Sequence, residues 1–209
     1  MAAALHGKDD ILRKKVLIEI NEDFHRADFV VLSLKAPLLK ELIACCKEED
    51  DPRRELASSA VMKVAGTEEG RQQLIDQDYL KDIAILLRDK LPQIRSNAYY
   101  AFLHISEYRA GYEAVVSANI LQLLVDLLKE EKESKIIVLA LTLLKLLGEA
   151  EVASEILLKT SVLERLNEHL QSADLQVRCM ATLNICTLSF KLVGKKQIIL
   201  CNCPIFTPL

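Results

Sequence analysis

A period of 41 or 42 residues runs through this chain of 209. Leu38-Leu39, Tyr79-Leu80, Ile120-Leu121, Val162-Leu163 and then Cys203 share one phase of it. Two further residue types keep the same step: Gly70, Gly111 and Gly194 lie 41 and 83 residues apart, and Arg13, Arg54, Arg95 and Arg178 lie 41, 41 and 83 apart. In the third unit Ile136 stands where the arginine is expected. A repeat of this length cannot bury its apolar face alone, so neighbouring repeats stack into a solenoid, an architecture that serves binding more often than catalysis.

Residues 79–119 show the plan of one unit. Leu80, Ile83, Leu86 and Leu87 fall at helical spacing and end at the charged turn Arg88-Asp89-Lys90. Pro92 opens a second helix, where its missing N–H costs nothing. That helix runs through Ile94, Ala98, Ala101, Phe102 and Ile105 and stops near Glu107 or Tyr108. Gly111 then punctuates the chain before a shorter helical segment with Ala114, Val115 and Val116. A medium, a long and a short connecting helix in about 40 residues is the armadillo pattern, close to HEAT. The expected fold is therefore all-α, an armadillo/HEAT-like right-handed α-solenoid over residues 1–209. It comprises a partial unit over about 10–37, units over about 38–78, 79–119, 120–161 and 162–202, and the start of another at 203–209. The segment Ile136 to Leu147 is apolar around nearly its whole circumference and is expected to be the most buried helix.

Composition narrows the function classes. Hydrophobic residues make up 51% of the chain, enough for a continuous core, and six Gly and five Pro leave little room for a long disordered tail. A formal net charge of −3 argues against a phosphate-neutralising surface, so nucleic acid is not expected as a partner. The first 15 residues hold no apolar core of signal-peptide length, and the longest apolar stretch is too short to cross a bilayer, so a cytoplasmic location without membrane insertion is expected. Cys45, Cys46, Cys179, Cys186, Cys201 and Cys203 form neither CxxC pairs nor zinc-finger spacings and read as reduced, mostly buried thiols. His6, His25, His104 and His169 fall in different units, and no phosphate-cradling glycine motif occurs. No catalytic residue, metal site, cofactor or small-molecule substrate is expected.

Two constellations are candidates for partner binding. Arg54, Arg95 and Arg178 form a basic row that either grips acidic side chains of a partner or pairs with nearby carboxylates such as Asp51, Asp89 and Asp174. Asn97, Tyr100 and His104 share one helix face, and Asn184 lies in the corresponding helix two units on. Asparagine holds a peptide backbone through paired hydrogen bonds, or equally cross-braces neighbouring helices.

The Gly70-Arg71 step, Ile94 to Ala101, the Leu121 to Leu128 helix with its Glu130-Glu131 turn, Ser172-Ala173-Asp174, Leu183-Asn184-Ile185 and Gly194 to Gln197 together resemble the radial spoke head 14 homologue family of armadillo proteins. The resemblance covers nearly the whole chain up to about Gln197. It implies a non-enzymatic scaffold of the radial spokes in ciliary and flagellar axonemes, with other spoke subunits as partners and the long helices lining a binding groove. The alternative is a cytoplasmic armadillo adaptor that binds a linear peptide or helical partner. The chain has no tryptophan, which sets it apart from the nuclear-import receptors of that fold. Residues 201–209 depart from the family, which continues for further repeats, and imply a shortened product.

Overall fold

The computed structural model describes residues 1–7, 9–34, 37–190, 194–196 and 198, and the segment 203–209 expected to open a further unit lies outside them. All regular structure among these residues is helical. The chain divides into two compact units, Met1–Ala114 and Val115–Leu209.

In the first unit α1 (Ala2–His6), α2 (Asp10–Asp23) and α3 (Ala27–Ser33) precede α4 (Leu38–Cys45), α5 (Asp51–Ala65), α6 (Glu68–Asp76), α7 (Leu80–Leu86) and α8 (Pro92–Ser106). Helix α5 packs against both α2 and α8, so three long helices lie side by side, with the shorter ones stacked alongside. Helix α1 is an addition to the sequence reading, which opens the first unit near residue 10. Its Leu5 is buried and it packs on α2 and α4. Helix α9 (Arg109–Ser117) crosses the boundary between the units. In the second unit α10 (Ile120–Glu130), α11 (Ser134–Gly148), α12 (Glu151–Leu157), α13 (Val162–Leu170) and α14 (Leu175–Ser189) repeat the order, and α11 packs on α14. Lengths differ from the expected medium-long-short order: α7 has 7 residues and the connecting α9 has 9, with Gly111 inside α9 rather than before it.

Local chemistry sets the helix starts. The carboxylates of Asp9, Asp50 and Asp174 accept from the first free N–H groups of α2, α5 and α14, and Thr67 Oγ1 accepts from Gly70 N at 3.1 Å at the start of α6. Pro52 and Pro92 occupy first-turn positions. Asp78 and Asn119, 41 residues apart, take positive φ (56° and 57°) just before α7 and α10, a conformation that Asp and Asn tolerate better than other side-chain-bearing residues.

The long helices α5, α8, α11 and α14 begin at residues 51, 92, 134 and 175, so their fourth residues are Arg54, Arg95, Ile137 and Arg178. The third unit is one residue longer, and Ile137, not Ile136, replaces the arginine. Their seventh residues are Ala57, Ala98, Ala140 and Ala181, each at most 1% exposed. Helix α11 matches the expected burial: of its 15 residues only Lys135 is exposed. Helix α14 departs from the expected stripe. Val177, Ala181 and Ile185 are buried, but Leu183 faces solvent. Of the described cysteines, Cys45 and Cys46 are buried, whereas Cys179 is exposed and Cys186 half-buried, so the expectation of mostly buried thiols holds for the first pair alone.

The periodic glycines mark the closest backbone approach. A Cβ on Gly70, Gly111 or Gly194 would sit 2.0, 1.9 or 2.0 Å from the carbonyl oxygen six residues earlier, that of Val64, Ile105 or Leu188. At the same register the third unit carries Ala153, while Gly148 in the last turn of α11 has only ordinary side-chain neighbours at 3.6 Å and beyond. Gly111→Ala is therefore expected to destabilise by about 1–3 kcal/mol through backbone displacement. Gly148→Ala should change stability by less than about 1 kcal/mol, in the stabilising direction that alanine's helix propensity supplies. Urea unfolding of the two variants checks the contrast, and equal losses would contradict it.

Candidate functional site

The arginine row is built into the frame of the molecule. Arg54 Nη1 donates to the carbonyls of Glu48 (2.8 Å) and Glu49 (3.2 Å), Arg95 Nη1 to those of Asp89 (2.8 Å) and Lys90 (3.2 Å), and Arg178 Nη1 to those of Ser172 (2.8 Å) and Ala173 (2.9 Å). Each guanidinium thus clamps the carbonyls six and five residues before it, closing the turn that leads into its own helix. Arg54 does more. It is 8% exposed, bonds Asp51 at 2.8 Å, and holds Asp89 through Nε (2.5 Å) and Nη2 (3.2 Å), which ties α5 to the turn before α8. Lys90 closes the circuit on Asp51 at 2.9 Å. The geometry of the row is intramolecular, and backbone carbonyls, which residue spacing does not reveal, are the acceptors that all three arginines share.

Where Ile137 replaces arginine, the turn is organised from the other side: the Glu131 carboxylate accepts from Lys132 N (2.9 Å) and Glu133 N (3.0 Å). Arg13 keeps the phase but reaches farther, donating to Leu5 O at 2.8 Å and pairing with Glu48. Arg53 pairs with Asp10 and lies 3.3 Å from both Glu48 and Asp50, so a cluster of ion pairs joins α2 to the turn before α5.

The asparagines are also internal. Asn97 and Asn184 are each 3% exposed. Asn97 Nδ2 donates to Ser58 Oγ across α8 and α5 at 3.0 Å, and its Oδ1 accepts from Gln93 at 3.0 Å. Asn184 Nδ2 donates to Leu141 O across α14 and α11 and to Met180 O, both at 2.8 Å. Asn21, absent from the sequence reading, donates likewise from α2 to Leu56 O on α5 at 2.8 Å and receives Lys63 Nζ. Each asparagine braces one long helix to the next, and the amides of Asn97 and Asn184 are buried in doing so. They occupy different positions, sixth and tenth in their helices. Of the four groove candidates, Tyr100 is exposed (43%) and His104 half-buried.

The open faces of the long helices are lined by other residues. The fifth, ninth and twelfth positions give Glu55, Ser59 and Met62 on α5, and Ser96, Tyr100 and Leu103 on α8, all exposed or half-buried. On α14 the same positions give Cys179, Leu183 and Cys186. These are recognisable in sequence only once the burial of the rest fixes the helix rotation.

Electrostatics follow the clamp. Hydrogen bonds donated to Asp89, and then to Asp51, hold Arg54 above its ordinary pKa against the cost of its burial. The Lys90 ammonium, then Arg54, pulls the Asp51 carboxyl below the usual carboxylate range. A depressed carboxyl stabilises the fold above its unfolded pKa, roughly 4, and loses that contribution as pH falls through the lower folded value. Among the described residues no three His, Cys, Asp or Glu side chains gather as metal ligands, and no single helix is long and apolar enough to cross a membrane.

Arg54→Ala is expected to cost about 3–5 kcal/mol, because it strands Asp89, whose side chain is only 9% exposed. Arg178→Ala removes two carbonyl contacts from a half-buried group and should cost about 1–2 kcal/mol. Urea melts at neutral pH give the ranking. Melts below pH 4 should narrow the gap between Arg54→Ala and the parent chain as Asp51 protonates.

No family model matches the sequence. Solved structures do match. A computationally designed armadillo repeat protein for modular peptide recognition is 19% identical with a TM-score of 0.86, covering 97% of this chain and 87% of that one. A designed armadillo repeat protein in complex with the peptide (KR)4 is 18% identical with a TM-score of 0.85 over the same shares. Another designed armadillo repeat protein is 18% identical at 0.84, again over 97% and 87%. The chain therefore has the all-α armadillo-type solenoid fold.

Proposed function

We propose that the chain is a non-enzymatic, protein-binding scaffold, and that it serves in the radial spokes of ciliary axonemes. The observation that carries the first part is the armadillo fold itself. Designed relatives in fold include one solved with the peptide (KR)4 bound and another made for peptide recognition. In this chain the long helices leave a mixed polar and apolar surface open, including Tyr100, Met62 and Leu103, while the charged row is spent on internal turns. Such a surface binds by shape and by side-chain contact rather than by chemistry on a bound substrate. The ciliary assignment rests on the sequence resemblance, carried by segments such as Ile94 to Ala101 and Leu183-Asn184-Ile185.

The test is fractionation of the tagged chain in a ciliated cell. Retention on detergent-extracted axonemes, lost in cells that lack radial spokes, is the expected result. A wholly soluble chain that captures a linear peptide would favour the cytoplasmic adaptor instead.

A further inference from the structure

At the junction of α6, the end of α8 and the first turn of α9, the first unit holds a pocket of about 160 Å³ lined by Glu68, Arg71, Gln72, Ile75, Ile105, Tyr108, Ala110 and Gly111. Arg71 is 7% exposed. One of its N–H groups donates to Ala65 O at 3.2 Å at the C-terminus of α5, and its guanidinium carbon lies 3.8 Å from the centre of the Tyr108 ring. Among the described residues no carboxylate pairs with it, although Arg13, Arg53 and Arg54 all have one. Its Nε and Nη2 have no hydrogen-bond partner among those residues, yet neither is sealed from solvent. A cation so deeply buried is ordinarily paired, because its lost hydration must be offset.

The second feature lies beside it. Position 67 carries a threonine whose hydroxyl caps α6 by accepting from Gly70 N. One repeat later the same position is Tyr108, whose ring covers Arg71 instead, and Gly111 N at the opening of the nine-residue α9 has no acceptor among the described residues. A free guanidinium edge and an uncapped helix N-terminus in one small pocket both call for an anion. Ile75, Ile105 and the tyrosine ring supply apolar wall for a short methylene stem. Glu68, which also lines the pocket, disfavours a doubly charged phosphate relative to a single carboxylate.

We propose that this pocket receives the carboxylate of an aspartate or glutamate side chain from a protein partner, with Arg71 as the charged donor, Gly111 N–H as the backbone donor and Tyr108 as the lid over the guanidinium. It deepens the scaffold reading, on which it relies only for the source of the carboxylate.

The experiment is an NMR titration of the full chain with N-acetyl-glutamate N-methylamide, following the Gly111 amide and the Arg71 Nε–H. Matched arms use the glutamine analogue, acetate and inorganic phosphate at constant ionic strength. The expected result is a saturable shift of both signals with the glutamate compound, absent with the glutamine analogue, weakened at least tenfold in Arg71→Lys and Tyr108→Ala and lost in Arg71→Gln. Thermal melts establish that each variant is folded, and should Arg71→Gln fail, the other two carry the comparison. No saturable shift, or one that the glutamine analogue matches, would overturn the site. Acetate or phosphate binding as tightly as the glutamate compound would overturn its assignment to a partner's side chain. Neither result depends on where the chain fractionates in a cell.

Discussion

The guanidinium of Arg54 joins two successive inter-helix turns of the first unit. It closes the turn before its own helix by holding two carbonyls, and it holds Asp89 in the turn before the next long helix. Within the first unit, a local motif thereby becomes a tie between adjacent repeats. Arg95 and Arg178 make the same local clamp on the two carbonyls that precede their helices. A buried arginine suits this role because its planar fork serves several acceptors at once while its charge stays fixed. The energy comes less from attraction in water than from the penalty of leaving Asp89 and the carbonyls buried without a donor.

Packing imposes a complementary demand for small residues. Alanine at the seventh position of all four full-length long helices and glycine six residues past a late carbonyl of α5, α8 and α14 are two expressions of close approach. The asparagine braces add direction to it, because an amide that must reach a hydroxyl or carbonyl on the neighbouring helix fixes how one helix is rotated against the next. Polar groups such as Asn97 and Asn184, which look available in a linear sequence, are consumed in setting register, while Glu55, Tyr100 and Leu183 stay exposed on the open faces.

Much of the fold was legible beforehand because its signals are local. The period, the Pro92 start and the burial of α11 depend on residues near one another in the chain. The candidate site was less legible because it depends on helix rotation. Asn97 lies only three residues from Tyr100, yet one is buried against Ser58 and the other faces solvent. Leu183 reads as core by composition and is exposed for the same reason. Ile137 was missed by one residue because the extra residue of the third unit falls between Gly111 and Ala153, and only the helix starts locate it. The pairing of Arg71 with Tyr108 had no sequence signal, since the two are 37 positions apart and meet only where α6 lies beside the turn after α8.

Arg54 joins two repeats rather than merely capping one. A double-mutant cycle on Arg54→Ala and Asp89→Ala, measured by urea unfolding of the full chain, tests that most directly. A coupling energy above about 1.5 kcal/mol is the predicted result, because either single change already breaks the shared contact. Additivity within about 0.3–0.5 kcal/mol would contradict it and reduce the arginine row to local turn chemistry.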